Sequence, residues 1–291
     1  MQSSRRALPL LMSIVFAMGL PSLAAGRSPT GPVEITDSRA GQELAAEAAA
    51  RQSRLGERVA AGDLRVWRIA PGDYIVGKTK PRNLAFGTAT GAAGGIERTF
   101  SFDVGARAST SRAESEVLAA ASPSWVWVSQ GCFTRKHNSY GWLDSCFKLL
   151  RLAGESDPRD FYTLEQYGSV GAQTFGKIYS GWLAASKTSA SAPMAWIDWS
   201  PRGSKSGPCV VIPLSVSALG QSFSASGLMC ERWNVYKYSD AGHFKEEWSC
   251  GCIFPFGQPY PNVREIDYLQ TVSVANGRYV EWTLTGGFLA R

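Results

Sequence analysis

The hydrophobic period of the chain changes once, near residue 62. Between residues 38 and 61 an alanine-rich stretch carries Leu44, Ala48, Leu55 and Val59 at helical spacing. Glu47 and Arg51 add an i, i+4 ion pair and Gly62 supplies a stop, so one long helix is expected over 38–61. Beyond it the period falls to two. Residues 64–69 alternate apolar and polar side chains, 71–73 read as a turn, and 74–76 read as the partner strand of a hairpin. Residues 87–95 read as a small-residue loop, 99–104 as a short strand and 112–120 as a short helix.

From residue 124 onward strand-like segments recur at 125–129, 142–152, 161–167, 194–199, 210–216, 228–238, 266–274 and 279–284. Clusters of Gly, Pro, Ser and Asn separate them. The pattern predicts a mainly β protein, an antiparallel β-sandwich or barrel-like domain stabilised by disulfides, with one N-terminal helix.

Residues 1–25 fall outside this scheme. Arg5 and Arg6 form a positive n-region, 7–20 an apolar core, and Ser22-Leu23-Ala24 a small-residue cleavage site, so an export signal is expected. Pro9, Ser13, Pro21 and Ser22 interrupt the stretch too often for a membrane anchor. Ser4-Arg5-Arg6 also fits a twin-arginine signal, leaving the export route open. The expected organisation is a signal peptide at 1–25, a turn-rich lead-in and helix at 26–62, and a β-rich region at 63–291, with 63–121 and 122–291 as candidate sub-domains.

Composition excludes several classes. With 44% hydrophobic residues, 19% charged residues and 10 Trp, the chain is neither disordered nor fibrous. The net charge of +6 becomes +4 when the two signal-peptide arginines are removed. Basic residues are scattered, so no nucleic-acid partner is expected. Six cysteines in an oxidising compartment, Cys132, Cys146, Cys209, Cys230, Cys250 and Cys252, are expected to be fully bridged. Cys132 and Cys146 bracket a polar turn and can close a hairpin. Cys250 and Cys252 are too close for an easy self-bridge and are expected to reach separately to Cys209 and Cys230.

Motif matches mostly fail on context. Residues 72–79 fit the P-loop expression, but the intervening residues are strand-like and Pro81 follows, so no nucleotide site is expected. Ser145 and Lys148 match SxxK on a segment that alternates like a strand. The two histidines, His137 and His243, lack a nucleophile elbow. His243 with Cys230, Cys250 and Cys252 has a zinc-like composition, but bridging better explains the cysteines, so no metal or cofactor is expected. Carboxylates at Asp144, Glu155, Asp157, Asp160, Glu165, Asp198, Glu231, Glu246, Glu247 and Glu265 could include a hydrolytic pair.

Aromatic residues carry the functional signal. Trp125 and Trp127 lie two apart on a strand and share a face, as do Tyr236 and Tyr238. Phe254, Phe256 and Tyr260 sit in a proline-rich loop suited to a rim or a sheet edge. The function expected from these residues is an exported, non-catalytic binding or structural module with a glycan or cell-envelope ligand. A carboxylate-dependent hydrolase and a protein-partner binding or inhibitory role are the alternatives.

Overall fold

The computed structural model describes residues 32–78, 84–90, 95–107, 123–251, 258–259 and 262–291. In chain order the N-terminal elements are β1 (Val33–Glu34), α1 (Arg39–Arg54), β2 (Arg65–Ala70), β3 (Asp73–Gly77), β4 (Ala85–Thr90) and β5 (Ile96–Arg107). There follow β6 (Ser124–His137), β7 (Gly141–Ala153), β8 (Arg159–Ala172), β9 (Lys177–Lys187) and β10 (Ala195–Ser200). The chain ends with β11 (Lys205–Ala218), β12 (Gln221–Lys237), β13 (Phe244–Ser249), β14 (Gln258–Pro259), β15 (Val263–Ala275) and β16 (Tyr279–Ala290).

Two antiparallel sheets result. The first runs β1-β2-β3-β6-β7-β8-β15-β10 and the second β11-β12-β13-β9-β16-β5-β4, with β14 beside β9. Side-chain alternation divides each strand between two environments. Leu143, Phe147, Leu149, Tyr162, Leu164 and Tyr268 of the first sheet pack against Phe100, Phe102, Leu183, Trp248, Trp282 and Phe288 of the second. This is the main core. The alternate residues of β7, β8 and β15 form the outer face of the first sheet.

Helix α1 covers one end of that outer face. Ser38 caps it by accepting a hydrogen bond from the Gly41 amide at 3.0 Å, and Leu44, Ala45, Ala48 and Ala49 pack on Leu64, Val66 and Val76. Arg51 reaches down to the buried Asp144 at 3.0 Å. The helix ends at Arg54, earlier than its periodicity suggested, because Gly56 adopts a φ of +86° that stops it. Val59 still joins the same apolar cluster from the following segment.

The mainly β, disulfide-bearing architecture, with one α-helix among the described residues, matches the reading of the pattern, but individual elements differ. The expected loop at 87–95 is in part strand β4, which pairs with β5 from Ala85 to Thr90. Most strands are longer than their apolar alternation, β6 most clearly, which runs from Ser124 to His137 where 125–129 was expected. Strands β9 and β13 were not anticipated. The expected helix at 112–120 lies outside the described residues. The Cys132–Cys146 bridge joins directly opposed residues of β6 and β7. Cys209 bridges Cys230, which corrects the expectation that these two pair with Cys250 and Cys252. Cys209 and Cys230 face each other across the β11–β12 hairpin, with Cα atoms 4.0 Å apart, so the long ladder brings these two together. Cys250 is itself disulfide-bonded, and Cys252 lies outside the described residues.

Candidate functional site

Two features share the outer face of the first sheet. One is the distal part of the β11–β12 hairpin. Strand β13 pairs with β12 only from Arg232 to Lys237, so residues 210–229 form a two-stranded ribbon with no ladder on either outer edge among the described residues. The Cys209–Cys230 bridge closes its root. No charged side chain occurs between Lys205 and Glu231.

The register sorts the ribbon into two unlike faces. Ser215 opposes Ser224 and Ser217 opposes Ser222, and all four are exposed. Leu214 opposes Ala225 and Val216 opposes Phe223 on the other face. That apolar face lies on the first sheet, with Leu214 and Val216 buried against Leu269, and Ala218 against Leu152 and Phe161. Side-chain and turn contacts fasten it. The Asp198 carboxylate accepts from the Ser217 amide at 2.8 Å, the Trp125 indole donates to the Gln221 carbonyl at 3.4 Å, and Gly227 comes close to Asp267. At the tip Leu219 (φ +48°) and Gly220 (φ +77°) make the two-residue turn, and Leu219 is 48% exposed.

The other feature is a cleft of about 570 Å³ between the ribbon and the end of α1. Its walls are 223–226 of the ribbon and 54–56 of the helix end; Trp127, Lys148, Glu165, Tyr167, Glu265 and Asp267 come from the sheet between them. Lys148 Nζ lies 3.1 Å from Glu165, 4.5 Å from the Tyr167 ring centre and 5.8 Å from that of Trp127. The Tyr167 hydroxyl donates to Glu57. Burial raises the pKa of Glu165 against the opposing pull of Lys148. Burial also pushes Asp267 well above its ordinary value, with Glu165 adding to the rise, and raises Glu265. Asp267 Oδ1 is shut off from solvent without a hydrogen-bond partner among the described residues. Burial therefore penalises the charged form of all three carboxyls.

The candidate residues separate across the molecule. Trp125 and Trp127 do share a face, but the ribbon half-buries Trp125 and leaves Trp127 57% exposed at the cleft. Tyr236 and Tyr238 are exposed elsewhere, Tyr236 at the end of β12 and Tyr238 beside His243. Phe254, Phe256 and Tyr260 lie outside the described residues. Of the carboxylates, Glu165 and Glu265 meet in the cleft, joined by Asp267, which the sequence did not single out. They lie on one face of adjacent strands, with Glu165 opposite Leu269 and Glu265 opposite Ser169, and Lys148 pairs with Glu165, so they do not flank a bond from opposite sides. Lys148 entered the sequence reading only through SxxK. In the strand it and Ser145 point to opposite faces, Ser145 accepting from the inward Gln166. Residues 73–77 of the P-loop match form strand β3 rather than a phosphate-cradling loop, and Thr79 lies outside the described residues.

No family model matches the chain, and no curated protein does. Among solved structures, one described as "Pore forming protein" aligns with 70% of this chain and 91% of its own at 7% identity and a TM-score of 0.28.

Proposed function

We propose that the protein is a non-catalytic module of the cell envelope that places its β11–β12 ribbon in a lipid bilayer. The observation that carries this reading is the uncharged ribbon whose distal half sets Ser215, Ser217, Ser222 and Ser224 on one face and Leu214, Val216 and Phe223 on the other. Each of its strands has about ten residues, the length that crosses a bilayer when tilted. Alternating apolar and small polar positions suit a strand with lipid on one side and water on the other. An ordinary surface hairpin with open edges is guarded by charged residues, lysine above all, and this one carries none. Only Pro213 blunts an edge. Hydrocarbon leaves unpaired backbone groups unsatisfied, so an inserted ribbon needs strand neighbours on both edges, which further copies of the chain can supply. The exposed Leu219 at the tip is suited to enter the membrane first, and the export signal expected at 1–25 would fit an envelope role.

The test is release of an encapsulated dye from phosphatidylcholine vesicles, with and without phosphatidylglycerol. An ideal Cβ on Gly227 lies 3.3 Å from Asp267 Cβ, so G227C with D267C forms a lock between ribbon and sheet. The unlocked protein is expected to release dye, and the oxidised lock to suppress release until it is reduced. In addition, F223E is expected to abolish release and S224E to retain it. Release by the locked form, or equal effects of the two charges, would refute insertion of the ribbon.

A further inference from the structure

We infer that the cleft between the ribbon and the end of α1 is a binding site for an uncharged sugar. Its volume of about 570 Å³ falls in the range of small-molecule sites and leaves room for an oligosaccharide segment. The indole of Trp127 is 57% exposed at its edge, although most large aromatic side chains of this sheet are buried. A flat exposed ring offers an apolar surface to the C–H face of a pyranose. Around it are the groups that hydroxyls require: an ammonium donor on Lys148, carboxyl groups on Glu165 and Asp267, and Ser224 and Ser226 on the ribbon wall.

Two other ligand classes fit less well. A quaternary ammonium group would seek a cage of Trp127 and Tyr167, but Lys148 Nζ already lies 5.8 and 4.5 Å from those ring centres and fills the cationic position. An anion would have to compete for Lys148, which Glu165 already engages at 3.1 Å. A neutral polyol needs neither charge, and each hydroxyl both donates and accepts. Asp267 Oδ1, closed off and without a partner among the described residues, belongs to a polar group left incompletely satisfied beside the cleft. The ligand would touch both the sheet and the ribbon, because residues 223–226 form one wall.

The experiment is calorimetric and fluorescence titration of the purified protein with chitotetraose, cellotetraose, maltotetraose, phosphocholine and inorganic phosphate. At least one neutral tetrasaccharide is expected to bind at millimolar concentration or below and to change tryptophan emission. W127A should weaken that binding about tenfold or more, equivalent to the loss of one stacked ring. Y236A, an exposed aromatic away from the cleft, should leave it unchanged. Binding of phosphocholine or phosphate in preference, loss of binding in Y236A but not W127A, or no binding by any tetrasaccharide would overturn the assignment. No membrane is present, so the result is independent of whether the ribbon inserts.

Discussion

Among the described residues two long hairpins are crossed by disulfides, and they differ in how they are held. The β6–β7 hairpin sits inside the first sheet, with β3 along residues 133–137 on one edge and β8 on the other, and Cys132–Cys146 bridges it within the ladder. Its charged residues are engaged: Arg135 pairs with Asp73 at 2.6 Å and Lys148 with Glu165 at 3.1 Å. The β11–β12 ribbon lacks charges and, among the described residues, ladder neighbours, and rests on the sheet through one face. Strand content and a disulfide are common to both, so neither decides how firmly a hairpin is integrated. Edge pairing and two-sided burial decide it, and only the first hairpin has both.

The largest separation is expected in hydrogen exchange. Amides of β7 and of residues 133–137 of β6 should exchange only on global unfolding, and those of 210–229 roughly three orders of magnitude faster through local undocking. Equal protection, measured by mass spectrometry on peptic fragments, would mean that the ribbon is part of the cooperative core. Side-chain truncation gives the next test. L143A opens the main core and is expected to cost about 2–5 kcal/mol. L214A is equally buried but lies under a separable element, so its effect on the global melting temperature should be less than half as large. The smallest effect concerns pH. Folding raises the pKa of Glu165, Asp267 and the fully buried Glu246, chiefly by burial. The folded state therefore holds protons that the unfolded chain gives up near pH 4. Their stabilising contribution is complete below that pH and is lost as pH rises toward the folded-state values. D267N should flatten the decline, which thermal melts across pH 4 to 8 would register.

How much of this could be read from the chain depends on distance along it. The β2–β3 hairpin and the Cys132–Cys146 bridge are local, and their turn and alternation signals sufficed. The start of α1 was also local, but its end depended on the backbone conformation of Gly56, which no side-chain period reports. The first half of β12 was missed because Ser222, Ser224 and Ser226 resemble turn residues until paired with the apolar alternation of β11. Strands β9 and β13 carry small and charged residues that mask their period. The cleft was the least legible feature, since it brings Arg54, Trp127, Lys148, Tyr167, Phe223 and Asp267 together from distant parts of the chain. The pairing of Trp125 with Trp127 on one face was legible, but what covers Trp125 is the ribbon, a tertiary neighbour.

The position of the Cys209–Cys230 bond has one more consequence. In a strand pair, a slip of one residue moves every side chain to the opposite side. Such a slip would mix the serines of this segment into its Leu, Val and Phe row and erase its two-sidedness. A covalent ring closed at the root fixes the count of residues on each arm, so the alignment of Ser215 with Ser224 and of Val216 with Phe223 is defended even when the sheet beneath no longer holds it. The bond thus acts as a proofreading device: it preserves which side is which through any excursion away from the body.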